Sequence, residues 1–136
     1  MLGAMSAPTD AFLAETRFAV VGASSDRSKY GNKVLRCYLQ HGRDAVPVHP
    51  KEATVEGRPA FATLGAIPGG VGAISVITPP AVTEKVVEEA GKLGIRHVWM
   101  QPGAESDAAV RRARELGMNV IAGGPCLLVV LGFREA

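Results

Sequence analysis

Phe18-Ala19-Val20-Val21-Gly22-Ala23-Ser24-Ser25 joins four consecutive apolar residues to a turn of small and hydroxylated ones. A half-buried strand alternates apolar with polar residues. An unbroken apolar run that stops at glycine reads instead as a strand covered on both faces, as a parallel sheet requires. The period then changes. Between Gly31 and His41, residues Val34, Leu35, Tyr38 and Leu39 recur at helical spacing, and Gly42 stands where a helix-terminating glycine belongs. Strand, polar loop and helix form the first half of a βαβ unit.

The same alternation continues along the chain. Ala45-Val46-Pro47-Val48 reads as a second strand, with Pro47 weakening its regularity. A turn-rich connection runs from His49 to Gly72, with one helical turn expected near Leu64. Ala73 to Ile77 is the third strand. Pro79-Pro80 opens a helix whose Val82, Val86, Ala90 and Leu93 share a face, ending at Gly94. Val98-Trp99-Met100 is the fourth strand. Ser106 is placed to N-cap a helix with Val110, Ala113 and Leu116 inward, and Asn119 to Ala122 is the fifth strand. Leu127 to Leu131 is an apolar run of undetermined type. Thr9 to Thr16 reads as a short helix within a 1–17 lead-in, before a domain spanning 18–136. The expected fold is α/β: a single Rossmann-like, doubly wound parallel sheet of about five strands with helices on both faces.

Length and composition narrow the function classes. One domain fits in 136 residues, and 47% hydrophobic with 21% charged residues is ordinary for a globular chain. A net charge of +2 is too small to suggest nucleic-acid binding by bulk electrostatics. No apolar stretch approaches the ~20 residues of a membrane span, and residues 1–8 lack the pattern of a signal peptide. Two cysteines without paired spacing argue against a disulfide framework or a zinc ribbon, so a cytoplasmic setting with reduced thiols is expected.

Ligands of doubly wound sheets bind outside the carboxyl ends of the strands. Five loops lie there: Gly22 to Asn32, His49-Pro50-Lys51, Thr78-Pro79-Pro80, Gln101-Pro102-Gly103 and Gly123-Gly124-Pro125-Cys126. Gly22 permits a tight turn and close backbone approach. Ser24 and Ser25 offer hydroxyls, the following helix offers free N–H groups, and Arg27 and Lys29 add positive charge. That combination favours an anion, specifically phosphate. A G-x-G-x-x-G fingerprint would need glycines at positions 24 and 27, where Ser24 and Arg27 stand, and Lys29-Tyr30-Gly31 does not have Walker A order. NAD enzymes carry an acid near the end of strand two, where this chain has His49-Pro50-Lys51. A cation there suits a ribose phosphate, which NADP and coenzyme A both satisfy.

Taken together, Val21-Gly22-Ala23-Ser24-Ser25, Val46-Pro47-Val48-His49-Pro50-Lys51, Thr78-Pro79-Pro80 and Val98-Trp99-Met100-Gln101-Pro102-Gly103 carry a family resemblance over Phe18 to Leu131. The chain resembles the small stand-alone CoA-binding domain proteins, which are related to the first domain of the succinyl-CoA synthetase α subunit. The resemblance implies that coenzyme A, an acyl-CoA or a CoA disulfide is bound. It places the first loop (Gly22, Ala23, Ser24, Ser25, Arg27, Lys29, with Tyr30) on phosphates and Lys51, with His49 and Pro50, near the adenosine phosphate. Thr78, Pro79 and Pro80 would line the ligand's path, with Gln101 and Cys126 at the same edge. Gly124-Pro125-Cys126 is similar to a Gly-Pro-Asn-Cys stretch of the synthetase domain but lacks the Asn. The synthetase's phosphorylated histidine has no counterpart.

No catalytic constellation is visible. His41 falls at a helix C-terminus, His97 before a strand, and His49 lacks an identifiable nucleophile and orienting carboxylate. No metal-ligand spacing occurs. Cys37 reads as a buried apolar residue. Cys126, after a Gly-Gly-Pro turn, could instead meet the CoA thiol in a mixed disulfide. Glu105 is either a lone acid at the site or a favourable charge before the fourth helix. The expected function is non-catalytic CoA binding. The alternatives are an NADP-dependent oxidoreductase and a regulatory or scaffold protein with a vestigial nucleotide site. The tail Leu127 to Phe133 is free to pack internally or to form a homodimer.

Overall fold

The computed structural model describes residues 7–135; the first six positions of the 1–17 lead-in and Ala136 lie outside the described residues. In chain order the elements are α1 (Ala7–Leu13), β1 (Arg17–Val21), α2 (Tyr30–Gln40), β2 (Asp44–Val48), β3 (Thr54–Val55), β4 (Arg58–Pro59), β5 (Ala73–Val76), α3 (Pro80–Lys92), β6 (His97–Met100), α4 (Asp107–Glu115) and β7 (Asn119–Ile121). A single 3-10 turn, Leu64–Ala66, precedes β5, and a π-helical turn, Leu128–Gly132, follows β7.

Five strands form one parallel sheet in the order β2-β1-β5-β6-β7. From β1 the chain winds outward through α2 to β2, then returns across β1 to β5 and winds the other way. Both crossovers keep the right-handed sense only if α2 lies on one face and α3 and α4 on the other. The point of reversal lies between β1 and β5, where the helices leaving the two strands diverge.

Alternate residues of each strand feed two apolar layers. Phe18 and Val20 of β1, with Trp99 of β6, pack against Val34, Leu35 and Tyr38 of α2. Ala19, Val21, Ile74, Val76, Val98 and Met100 pack against Val86, Val87 and Ala90 of α3 and Ala109 and Ala113 of α4. The strands are therefore apolar on both sides, as their uninterrupted runs imply. Ser75 is the polar exception in the centre of the sheet, and its hydroxyl shares a 2.5 Å hydrogen bond with that of Tyr38. Burial pushes the Tyr38 phenol well above its ordinary range, so the pair is held as neutral hydroxyls.

Pro47 fits because β2 is an edge strand. Its carbonyl accepts from the Phe61 N–H on the side away from β1, and its missing N–H would point the same way, so no ladder bond to β1 is lost. The turn-rich connection holds the small β3–β4 hairpin, anchored by fully covered Val55.

The five sheet strands and the helices α2, α3 and α4 begin and end within about one or two residues of the sequence reading, whereas the first helix, read as Thr9 to Thr16, is Ala7–Leu13, and one helix face also differs. In α3 the buried set is Thr83, Val86, Val87 and Ala90, while Val82 and Leu93 are exposed. At roughly 100° per residue, that set centres some 70–90° away from Val82 and Leu93. The helix rolls onto its narrower β-branched and alanine face. Ser106 caps α4 as expected, its hydroxyl accepting from the Ala109 N–H at 3.0 Å.

Both chain ends join the layer beneath α2. Phe12 of α1 is fully buried, edge-on to Trp99 at 5.3 Å and against Phe18 at 5.5 Å. The C-terminal run packs internally, on α2: Leu127 is fully buried, His41 Nε2 lies 2.8 Å from the Gly132 carbonyl, and the Arg36 guanidinium covers the Phe133 ring. No helix among the described residues is long and apolar enough to cross a membrane.

Phe12→Ala removes a buried aromatic shared by two rings. It is expected to cost about 3–5 kcal/mol in urea denaturation. A loss below about 0.5 kcal/mol would show that α1 is only a lead-in.

Candidate functional site

The decisive local feature is the junction of β1 and α2. Gly22 turns with a φ of 99°, in the left-handed region where side chains are strained, and a Cβ there would stand 2.1 Å from the Ile77 carbonyl oxygen. Gly31, in the first turn of α2, is equally confined: its Cβ would stand 2.0 Å from the Gly22 carbonyl oxygen. Backbone thus lies against backbone at two successive contacts. This draws the N-terminus of α2 over the end of β1 and opens a cleft beside it.

Gly22, Ala23, Ser24, Lys29, Tyr30, Gly31, His49, Pro50, Ile77, Thr78 and Pro79 line that cleft, whose volume is about 470 Å³. A hollow of about 260 Å³, running on to Pro102, Gly103 and Ala104, shares Ile77, Thr78 and Pro79 with it. The two form a groove along the carboxyl ends of β1, β5 and β6. The cleft lining includes the cation Lys29 and no carboxylate. The residues just before α2 and α3, Lys29 and Pro79, both belong to the lining, and neither supplies a side-chain cap, whereas Ser106 caps α4. The first-turn N–H groups of α2 and α3 therefore carry partial positive charge that no capping side chain offsets, which favours an anion.

Side chains hold the loop between β1 and α2 in shape from within and behind. Ser24 Oγ accepts from the Asp26 N–H at 3.0 Å, and Asp26 Oδ1 accepts from the Ser28 hydroxyl at 2.6 Å and N–H at 3.0 Å. Those two bonds from Ser28 hold the Asp26 carboxyl below its usual range. Behind the loop, buried Asn32 donates to the Ser24 carbonyl at 2.7 Å and to Glu56 at 2.9 Å. Arg36 donates to Asn32 Oδ1 at 2.6 Å and to the Arg27 carbonyl at 2.9 Å.

His49 is fixed in one tautomer. Its Nδ1 accepts the N–H groups of Lys51 and Glu52, both at 3.0 Å, so in the neutral ring the proton sits on Nε2. The ring can donate a hydrogen bond, but Nδ1 is not free to act as a base.

Of the residues singled out in the sequence, Gly22, Ala23, Ser24, Lys29, Tyr30, His49, Pro50, Thr78 and Pro79 come together in the cleft. Six do not line it. The Ser25 hydroxyl donates to Glu52. Arg27 pairs with Glu56 at 3.4 Å and faces a separate hollow beside Arg36 and Gln40. Lys51 is exposed two residues beyond His49, and Pro80 is exposed at the start of α3. Gln101 and Cys126 lie behind Tyr30, whose hydroxyl donates to Gln101 Oε1 at 3.1 Å and lies 2.8 Å from Cys126 Sγ. Glu105 accepts the Gly103 N–H at 2.8 Å, just before α4.

Sequence reading passed over Gly31, Asn32, Arg36, Glu52 and Glu56. The only signal was the Asn32/Arg36 pair at i, i+4 on α2; the two glutamates reach the loop through tertiary folding alone.

Residues 16–132 match the family model described as the CoA binding domain. The chain is 30% identical over 123 residues to the α subunit of ADP-forming acetate–CoA ligase II of Pyrococcus furiosus, aligning 82% of this chain with 27% of that subunit. It thus spans about a quarter of the ligase subunit. A conserved hypothetical protein of Pyrococcus furiosus superposes with a TM-score of 0.78 and 34% identity, covering 83% of this chain and 97% of that one. The dinucleotide-forming acetyl-coenzyme A synthetase 1 of Ca. Korarchaeum cryptofilum, solved with phosphate and ADP, gives a TM-score of 0.71 and 28% identity over 79% of this chain and 25% of that one.

The Gly31 contact makes a direct test. Gly31→Ala must push α2 away from β1 and is expected to cost about 1–3 kcal/mol or more in urea denaturation. At Gly65, where an added Cβ meets nothing closer than 3.7 Å, Ala should change stability by less than about 0.5 kcal/mol. Equal effects at the two positions would refute the close-approach argument.

Proposed function

Since the chain belongs to the CoA-binding domain family, we propose that it binds coenzyme A or an acyl-CoA in the groove at the carboxyl edge of the sheet, without performing chemistry on it alone. The observation that carries this reading is the cradle between Gly22 and Gly31. There backbone comes within reach of a ligand, in a cleft whose lining has no carboxylate and whose bordering helices have no side-chain cap.

In this reading the first-turn N–H groups of α2, the Ser24 hydroxyl and Lys29 hold the phosphates. The His49 Nε2–H and Lys51, at the end of β2, meet the adenosine phosphate. Thr78 and Pro79 line the path of the pantetheine arm towards β6. Ser25 and Arg27, committed to Glu52 and Glu56, act by shaping the loop. Bound coenzyme A would supply a thiol or thioester as a carrier group. The chain's own residues bind and orient it. Among the described residues His49, whose Nδ1 is taken by backbone N–H groups, supplies no base for a nucleophile. The ligase activity named for the P. furiosus relative belongs to a chain nearly four times longer than the matched stretch.

Titration calorimetry should show micromolar or tighter binding of coenzyme A. Lys51→Ala should weaken it by about 10-fold, the loss of one charge-assisted contact of ~1.5 kcal/mol. In a thermal-shift comparison at saturation, coenzyme A and acetyl-CoA should raise the midpoint more than NADP, NAD or ATP. Absence of heat with coenzyme A, or a larger shift with NADP, would overturn the reading.

A further inference from the structure

The cleft has a second layer. Tyr30 forms part of its wall, and the Tyr30 hydroxyl touches both Gln101 Oε1, at 3.1 Å, and Cys126 Sγ, at 2.8 Å. The orientation of the Gln101 amide is set by the Leu127 N–H, which donates to Oε1 at 2.9 Å and could not face an NH₂ group. The Tyr30 hydroxyl hydrogen is therefore directed to Gln101 Oε1, and the remaining contact has the Cys126 thiol donating to the phenol oxygen. Burial holds the Tyr30 phenol well above its usual range, with the Cys126 contact reinforcing the effect, so the hydroxyl keeps its proton. When Cys126 ionises, the phenol hydrogen can swing from Gln101 to the sulfur. The thiol thus sits beside a neutral donor able to serve its thiolate.

Gln101 adds an independent observation. It is fully buried, and its Nε2 is the one buried side-chain polar atom without a hydrogen-bond partner among the described residues. Buried donors are rarely left unsatisfied, and leaving one so costs about 1–3 kcal/mol. The orphan amide sits on the same carbon as the oxygen that Tyr30 touches, at the end of β6 where the groove runs on to Pro102. It suits a ligand bearing carbonyl acceptors, and the pantetheine arm has two amide carbonyls ahead of its sulfur.

The two cysteines differ in access. Cys37 is buried in α2, and burial, with Cys126 nearby, pushes its thiol up to about 11. Cys126 is half-buried on the loop after β7. We propose that Cys126 is a thiol–disulfide exchange site for coenzyme A disulfides, with Gln101 Nε2 holding a carbonyl of the incoming arm. The proposal rests on the coenzyme A reading of the cleft. In the exchange, Cys126 gives up its proton to water and its thiolate attacks the CoA sulfur of a disulfide CoA–S–S–R. A Cys126–S–S–CoA bond forms as the CoA–S–S–R bond breaks, and the leaving RS⁻ takes a proton from water. One disulfide is lost for each one formed, so the CoA disulfide is the only oxidant required. A second thiol reverses the step and releases coenzyme A.

The test uses the full chain, first reduced and then freed of reductant, treated with CoA disulfide or with oxidised glutathione and followed by intact-mass spectrometry and peptide mapping. One CoA adduct per chain is expected, on Cys126, removed by dithiothreitol and still formed by Cys37→Ser. CoA disulfide should react at least about 10-fold faster than oxidised glutathione, a preference of ~1.4 kcal/mol in barrier, and excess desulfo-coenzyme A, which has no thiol, should suppress that advantage. An adduct on Cys37, equal rates with the two disulfides, or no adduct would each overturn the proposal. Peptide mapping of the wild-type chain keeps the test independent of how a Cys126 variant folds. Calorimetry of reduced coenzyme A on the reduced chain separates the two readings: heat without an adduct removes exchange alone, and no heat removes the coenzyme A reading itself.

Discussion

The approach of Gly31 to the Gly22 carbonyl, too close for any side chain, sets the geometry of the whole edge of the sheet. It holds the start of α2 against the end of β1. A second close approach, of Gly22 to the Ile77 carbonyl, ties the same turn to the exit of β5. The two strands on either side of the topological reversal are thereby linked through backbone alone. The cleft is what remains between helices that must diverge there, because right-handed crossovers send α2 and α3 to opposite faces.

Around that contact, charge is sorted by position. Carboxylates near the loop are turned to structural use: Asp26 closes the loop on Ser28, Glu52 takes the Ser25 hydroxyl, and Glu56 binds Asn32 and Arg27. None of them lines the cleft. The face left towards a ligand consists of backbone N–H groups, hydroxyls, one lysine and an imidazole tautomer that donates from Nε2. An anion gains from each of these, and no shape change is needed to present them. The arrangement favours an anion.

Behind the Tyr30 wall the structure has a different character. Trp99 donates to the Pro125 carbonyl at 3.0 Å, and the Leu127 N–H donates to Gln101, so the loop after β7 is pinned to β6 by two bonds. That pinning brings Cys126 to Tyr30, a residue 96 positions earlier in the chain. The thiol thus lies behind the Tyr30 wall of the cleft, and the apolar and prolyl stretch from Ile77 to Pro79 joins that cleft to the hollow beside Pro102.

Much of this was legible in the sequence. Apolar runs with no alternation identify strands covered on both faces, and Phe18 to Gly22 alone implies the parallel sheet. Gly22, Ser24, His49 and Thr78-Pro79 could be placed at one edge because strand ends are marked by turn residues. The family was legible too, through four motifs in order. Packing direction was not: which flank of α3 is buried depends on the roll of a helix on a sheet, and it left Val82 and Leu93 exposed. Nor were the partners of the loop legible. Arg27 and Ser25 look like phosphate ligands until Glu56 and Glu52 arrive from the connection after β2, whose position follows no local pattern. Local pattern encodes strand, turn and helix because those depend on neighbours a few residues away. Which charges meet, which thiol is reachable and which amide is left without a partner depend on contacts between distant segments, and only the folded chain decides them.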